Sequence, residues 1–307
     1  MRTFDIVFVP GLRPKPENNV YRDALLQCIS FGLRRYRDDA AKILADAKDA
    51  FHIYSWTHEV YGEFRDIGLD LEGIGALLAA PDPGAEQRAA IDALSRRLVR
   101  IAHRVGDRIP TLGRLFANDR QRMMLSEARD YLRDRGGAGS RTRAGLVELL
   151  ADTWSADRRL VIVGHSLGSV IAYDTLWELS AYSPLRVALF VTIGSPLGTR
   201  FVRRLVRGAD KSGSSRFPSN MERWTNIAAK GELTALYPRL RNVYGAMLEL
   251  GMLSSFEDHV DIYNHFVGAS GLNVHSEYGY LIQREFAEAL AGVIAPQTVN
   301  GGIGQSS

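Results

Sequence analysis

The chain has 307 residues, of which 46% are hydrophobic and 24% are charged, and its formal net charge is +3. These values are ordinary for a globular protein with a sizeable core, and the basic residues are spread along the chain, so nucleic-acid binding is not indicated. A single cysteine, Cys28, excludes an internal disulfide. No apolar run approaches the ~20 residues of a membrane span and no signal-peptide pattern is present, so we expect a cytoplasmic protein.

Short apolar runs rich in β-branched residues alternate with longer helical patterns. Such runs are typical of strands buried on both faces of a parallel sheet. The predicted strands lie at 4–9, 51–56, 160–163, 185–193 and 221–229, and helical patterns lie at 19–48, 143–154, 170–179 and 275–294. The sequence therefore predicts an α/β fold with a mostly parallel central sheet and helices on both faces.

The segment GHSLG at residues 164–168 fits the pattern G-x-S-x-G and joins a predicted strand directly to a predicted helix. A chain that turns from strand to helix must reverse within about two residues, which strains the residue at the apex. Side chains two positions before and after the apex would collide with the neighbouring strand and helix, so glycine suits Gly164 and Gly168. We expect Ser166 to present its hydroxyl above the sheet edge, with the N–H of Leu167 as an oxyanion donor.

The run GHSLGSVIAYD that begins at Gly164 resembles the nucleophile elbow of lipase-like and esterase-like members of the α/β-hydrolase superfamily. The resemblance extends to residues 4–12, 187–198, 224–232 and 261–281. It implies the α/β-hydrolase fold and a serine hydrolase that cleaves a carboxylic ester, from a small molecule or a lipid, through an acyl-enzyme on Ser166. Neither a metal nor a cofactor is implied, since the sequence lacks the usual motifs for both.

A nucleophilic serine needs a base, and in the resembled superfamily the chain order is serine, acid, histidine. Three histidines follow Ser166: His259, His265 and His275. His275 stands just before a terminal amphipathic helix, where the superfamily carries its base, and it begins a His-Ser-x-Tyr pattern seen in similar sequences. We predict His275 as the base, because residues 258–266 have a helix-like pattern in which the other two histidines are structural.

Glu232 is the predicted acid that orients His275. It follows a short predicted strand, at the turn where the superfamily places this residue. Asp258 and Asp261 are the alternatives, since similar sequences more usually carry an aspartate at this position.

The second oxyanion donor comes, in the resembled superfamily, from the loop after the first strand, where the sequence is often His-Gly. Here Pro10 replaces the histidine. Because proline has no N–H group, the donor has to be Gly11 or, better, Leu12. Ser195 is a second candidate hydroxyl, but Pro196 follows it and no strand-to-helix elbow does, so we expect it to line the pocket or form a turn.

We expect residues 1–59 and 141–295 to form the hydrolase core, 60–140 a helical insertion and 296–307 a flexible tail. The segment 85–108 combines an apolar face with several arginines. Two roles follow for the insertion: a cap that selects an acyl chain or contacts a membrane surface peripherally, or solvated helices packed on the sheet.

Two other functions stay open alongside ester hydrolysis. A catalytically silent binding module of the same fold is favoured by Pro10 in the oxyanion corner and by glutamate as the acid. An acyltransferase uses the same residues, and fold analogy does not separate it from a hydrolase.

Overall fold

The computed structural model describes residues 3–93, 127–232 and 234–296. Six of the strands in these residues form one sheet in the order β2-β1-β3-β4-β5-β6, and every neighbouring pair is parallel. A separate antiparallel ribbon pairs β7 with β8. The strands are β1 (Phe4–Val9), β2 (Phe51–Ile53), β3 (Arg159–His165), β4 (Val187–Ile193), β5 (Arg223–Ala229), β6 (Ser255–Ile262), β7 (Val267–Gly268) and β8 (Gly271–Leu272).

Helices connect these strands, as parallel neighbours require crossovers. The predicted α/β class with a parallel central sheet is confirmed. The helices are α1 (Asn18–Tyr36), α2 (Asp38–Asp46), α3 (Trp56–Tyr61), α4 (Gly68–Ala79), α5 (Ala85–Asp92), α6 (Ala138–Thr153), α7 (Leu167–Leu179), α8 (Arg200–Arg203), α9 (Arg241–Tyr244), α10 (Ala246–Glu249), α11 (Glu277–Leu281) and α12 (Arg284–Ile294).

The sheet separates two apolar clusters, because successive side chains of a strand point to opposite faces. Ile6 and Phe8 of β1 pack with residues of α1, α2 and α12. Val7 and Val9 of the same strand pack with residues of α6 and α7. All four side chains are fully buried, so β1 is covered on both faces by helices.

The helix-like pattern at 258–266 was a wrong prediction. Residues 255–262 form the edge strand β6, with Asp258 opposite Asn226 and His259 opposite Ile227 of β5. The pairing register shifts between Val260 and Ile262, where Asp261 takes a φ of +67°, so Phe256 and Ile262 join the apolar clusters on opposite faces of the sheet. Edge strands are partly exposed, so polar residues interrupt the two-residue alternation of apolar side chains. The apolar residues that remain then have a spacing that resembles that of a helix.

The described ends of the insertion are held on the core. The hydroxyl of Tyr263 donates to Asp92 at 2.8 Å, next to the end of α5. The hydroxyl of Tyr131 donates to the buried Asp174 of α7 at 3.1 Å. Both described ends of the insertion are thus joined to the core by a tyrosine–aspartate hydrogen bond.

The part of the basic pattern beyond residue 93, and residues 297–307 of the predicted tail, lie outside the described residues. Across the described ranges, no helix combines the length and the apolar character that a membrane crossing needs.

The turn between β3 and α7 packs against the end of β1. A Cβ at Gly168 would lie 2.1 Å from the carbonyl oxygen of Val9, and a Cβ at Gly164 would lie 2.5 Å from Cα of Ser169. Neither contact is possible for a real side chain. The collisions predicted from the G-x-S-x-G pattern are therefore confirmed at both glycines.

Replacing Gly168 with alanine is expected to lower the free energy of unfolding by about 1–3 kcal/mol, because the added methyl must displace backbone rather than a movable side chain. The matched control is Gly75→Ala in α4, where a Cβ meets no described atom within 4 Å. That change is expected to raise the free energy of unfolding by roughly 0.5–1 kcal/mol, since alanine restricts the unfolded chain. Urea denaturation measures both; equal stability of Gly168→Ala and the native chain would contradict the close packing of α7 on β1.

Candidate active site

Ser166 stands at the corner between β3 and α7, where it is the N-cap of the helix. Its backbone angles are φ 52° and ψ −126°, a region that non-glycine residues rarely occupy. The N–H of Ser166 donates to the carbonyl of Ile193 at 3.0 Å, which continues the pairing of β3 with β4 around the corner. Because Leu167 is the first residue of α7, its N–H has no acceptor within the helix and can face an anion.

The hydroxyl of Ser169 fixes this corner from inside the first helical turn. It donates to the carbonyl of Ser166 at 2.6 Å and lies 2.7 Å from the hydroxyl of Ser195. Ser195 also accepts from the N–H of Leu197 at 3.2 Å and caps the turn that begins at Pro196. The structure therefore gives Ser195 a turn-forming role, one of the two that its sequence context predicted.

His275 and Glu232 are in direct contact. Nδ1 of His275 lies 2.7 Å from Oε2 of Glu232, although the two residues are 43 positions apart. Glu232 occupies the turn after β5, and only 2% of its side chain is exposed, whereas 23% of the His275 side chain is exposed. The imidazole thus has a buried acceptor on one side and access to a reactant on the other.

Two further donors hold the carboxylate of Glu232. The N–H of Thr234 donates to Oε1 at 2.8 Å, and the hydroxyl of Tyr280 donates to Oε2 at 3.2 Å. Burial by itself raises the pKa of Glu232, but the charge and hydrogen bond of His275 and the N–H of Thr234 outweigh it and leave the pKa below its ordinary value. Glu232 is therefore ionised and can orient an imidazole that gains a proton.

His275 lies beside the Ser166 corner. Its ring is 4.7 Å from the ring of His165, the residue that precedes Ser166. Its Nδ1 is 3.0 Å from the position that a Cβ would take at Gly194, which has φ +56° at the end of β4. Glycine at that strand end leaves room for the imidazole next to the corner.

His165 supports the backbone of His275. Its Nε2 lies 2.8 Å from the carbonyl oxygen of His275. A carbonyl only accepts, so Nε2 carries the proton and donates it. Burial is the main cause that lowers the pKa of His165, to about 3, so its ring is neutral and serves as a hydrogen-bond donor rather than as a base.

The loop after β1 meets Ser166 at Gly11. A Cβ at Gly11 would lie 2.8 Å from Cβ of Ser166. The indole N–H of Trp56 donates to the carbonyl of Pro10 at 2.8 Å and fixes the start of this loop. Leu12, the predicted second oxyanion donor, follows Gly11 directly in the chain.

The alternative acids lie in other surroundings. Asp258 accepts hydrogen bonds from the N–H groups of Leu240 and Arg241, at 3.0 and 2.8 Å, and from the side-chain amide of Asn226 at 2.8 Å. It holds the beginning of α9 on β6. Asp261 is exposed and takes a positive φ of 67° near the end of β6.

The two other late histidines also lie apart from this arrangement. His259 contacts Glu257 on the edge strand at 3.2 Å, and Nε2 of His265 donates to the carbonyl of Ala80 at 2.8 Å. Of the predicted residues, the structure brings Ser166, His275 and Glu232 to one place. In the described ranges, no group of three or more His, Cys, Asp or Glu side chains is arranged to hold a metal ion.

Sequence reasoning missed the supporting roles of His165 and Tyr280. His165 occupies the variable position of G-x-S-x-G, and nothing in that pattern indicates a partner 110 residues later. Tyr280 lies in the apolar face of α11, where an aromatic residue is ordinarily read as core. The signal that could have indicated them is proximity in the sequence, since His165 adjoins Ser166 and Tyr280 lies five residues after His275.

The lowered pKa of Glu232 predicts a pH-dependent contribution to stability. Because its folded pKa lies below the ordinary value of 4.5, ionised Glu232 contributes stability that is present above about pH 4.5 and is lost as the pH falls through the folded pKa. The difference in unfolding free energy between the native chain and Glu232→Gln should therefore shrink from pH 7 to pH 3 in urea titrations. Gly75→Ala, which changes no titratable group, should differ from the native chain by a constant amount; a constant difference for Glu232→Gln would contradict the prediction.

Comparison of the chain with protein-family models, with curated proteins and with solved structures found no match. What the site does has therefore to follow from its own groups. These are a serine at a strained strand-to-helix corner, an imidazole beside that corner and a buried, ionised carboxylate bound to the imidazole.

Proposed function

We propose that this protein is a serine hydrolase of the α/β-hydrolase type, which cleaves carboxylic esters through an acyl-enzyme on Ser166. The observation that carries the proposal is the hydrogen bond between His275 and Glu232 next to the corner at Ser166. Ser166 follows β3, Glu232 follows β5 and His275 lies in the segment after β6, and these residues are the proposed nucleophile, orienting acid and base. Their chain order, serine then acid then histidine, is that of α/β-hydrolases.

The tautomer of His275 follows from its partner. An ionised carboxylate only accepts, so Nδ1 carries a proton that it donates to Glu232 and Nε2 carries a lone pair. In the first step Nε2 takes the proton of the Ser166 hydroxyl while the oxygen bonds to the ester carbonyl carbon. Glu232 stabilises the imidazolium that forms.

The carbonyl oxygen of the ester becomes an oxyanion in this step. The N–H of Leu167 at the start of α7 and the N–H of Leu12 are the proposed donors to it, and one such donor contributes about 3–4 kcal/mol to catalysis. When the ester C–O bond breaks, His275 gives its proton to the departing alcohol. Water then loses a proton to His275 and attacks the acyl-enzyme carbonyl carbon. As the bond to the Ser166 oxygen breaks, His275 returns that proton to the oxygen and the acid is released.

Fluorophosphonates test the proposal directly, because they phosphonylate only an activated serine. The native chain is expected to be labelled by a fluorophosphonate–rhodamine probe, and Ser166→Ala is expected to remove the label entirely. Ser195→Ala is the matched control, since that hydroxyl forms a turn, and it should keep the label. A native chain that is folded by circular dichroism and takes no label would contradict the proposal and favour the silent binding module.

The acid is tested by comparing Glu232→Gln with Asp258→Asn. Glutamine cannot hold the imidazolium, so labelling and the hydrolysis of p-nitrophenyl esters should fall by roughly 10²–10⁴-fold. Asp258→Asn removes an acceptor from the start of α9, so it should lower the melting temperature and leave activity within about threefold when assayed well below it. Loss of activity confined to Asp258→Asn would show that the assignment of the acid is wrong.

A further inference from the structure

A buried ion pair is formed at Glu277, two residues after His275. The proposed reaction uses neither member of this pair. Oε1 of Glu277 accepts from Nζ of Lys15 at 3.0 Å and from the hydroxyl of Tyr21 at 2.5 Å. The side chain of Glu277 is 8% exposed and that of Lys15 is 14% exposed. The two residues are 262 positions apart, so the pair joins distant parts of the chain.

Glu277 is ionised in this position. Burial on its own raises the pKa of its carboxyl, but the charge of Lys15 and the hydroxyl of Tyr21 outweigh burial and hold the pKa of Glu277 well below its usual range. A charge that is buried to this degree needs its partner, since separating the two leaves both without compensation. The segments that carry Lys15 and Glu277 are therefore tightly coupled.

Each segment carries a group that the proposed reaction uses. Lys15 belongs to the loop after β1, three residues beyond Leu12. Glu277 is the first residue of α11 and lies two residues beyond His275. One ion pair thus connects the loop of the proposed oxyanion donor to the turn of the proposed base.

The strained corner contributes a third contact. Nδ1 of His165 lies 3.7 Å from Oε2 of Glu277, while Nε2 of the same ring donates to the carbonyl of His275. Nδ1 of His165 has no hydrogen-bond partner in the part of the chain that the structure describes. The neutral ring of His165 is therefore packed between Glu277 and the backbone of His275.

The loop after β1 is also held from its other side, by α3 and the residues that follow it. The hydroxyl of Tyr61 accepts from the N–H of Arg13 at 3.2 Å, and the N–H of Arg65 donates to the carbonyl of Lys15 at 3.0 Å. Arg13 takes a φ of +80°, which these neighbours maintain. Leu12 lies between the anchored Pro10 and these contacts, so its position depends on all of them.

We propose that Glu277 and Lys15 are positioning residues, whose ion pair sets the placement of the Leu12 loop relative to the His275 turn. This inference rests on the proposed function, because it concerns the geometry of that reaction. A misplacement of about 1 Å between reacting groups can cost 10²-fold in rate. The ion pair therefore acts on the rate of the chemical step and not on substrate binding.

The test uses Lys15→Met, Glu277→Gln and the double variant that carries both changes. The matched control is Arg143→Met with Glu178→Gln, singly and together, since this pair has an N–O distance of 2.8 Å and a largely buried arginine. Glu178 is twelve residues along α7 from Ser166, about 18 Å at the helical rise, so the control pair is remote from the site. Melting temperature, the rate of fluorophosphonate labelling, and kcat and KM for a p-nitrophenyl ester are measured on each full-length chain.

Each single variant of the first pair is expected to melt at a lower temperature and to be labelled at least tenfold more slowly, with kcat reduced and KM within about twofold. The double variant should regain melting temperature, because no charge is left unpaired, and should still be labelled slowly. The control variants should change melting temperature alone. A double variant that regains the native labelling rate, or single variants labelled at the native rate, would overturn the positioning role.

Amide hydrogen exchange measured by mass spectrometry tests whether the Leu12 loop and the His275 turn are coupled. This measurement does not require the protein to be active. In either single variant, exchange in both the 11–16 and the 273–278 segments should rise at least tenfold, and in the control variants neither should change. Exchange that rises only around the substituted residue overturns the inference. If the native chain takes no label, the proposed function fails, and the exchange result still shows whether the ion pair couples the two segments.

Discussion

The close approach of α7 to β1 is the constraint on which the site depends. The backbone at Gly168 lies so near the carbonyl of Val9 that no side chain fits between them. This contact forces the chain to turn from β3 into α7 within two residues, and the positive φ of Ser166 follows from that sharp turn. The same contact brings the loop after β1 against Ser166, with Gly11 at the point of approach.

The parallel sheet supplies the other groups, because the carboxyl ends of its strands meet at one edge. Ser166 follows β3, Gly194 follows β4 and Glu232 follows β5, and these three strands are neighbours in that order. His275 comes from the segment after β6 and reaches back across this edge to Glu232. The proposed nucleophile, a space for an imidazole and a carboxylate are thus set side by side by the order of the strands.

Two buried carboxylates hold the His275 segment in different ways. Glu232 contacts the imidazole ring and determines its tautomer, whereas Glu277 contacts Lys15 and the ring of His165 and restrains the backbone. Both are ionised despite burial, because each has a cationic or hydrogen-bonding partner that outweighs the desolvation. The ring orientation and the backbone position of one histidine are therefore controlled by separate charges.

Much of the corner could be predicted from the sequence because its geometry is local. The pattern G-x-S-x-G between a strand and a helix determines the strained serine and the need for glycine at both flanks, since all the colliding atoms belong to short, regular segments. The apolar runs likewise indicated a parallel sheet. The edge strand β6 was misread, because a half-exposed strand has a weaker period than a buried one.

The sequence by itself determined the strained serine corner, the α/β class with a parallel sheet, and the candidates for base and acid. Only the tertiary structure decided that Glu232 and not Asp258 contacts His275, that His165 and Tyr280 bond to these two residues, and that Lys15 pairs with Glu277. The physical reason is distance along the chain: these contacts join residues 43 to 262 positions apart. Such pairs form only when the strand order and the loops are in place, and no local pattern of residues encodes them.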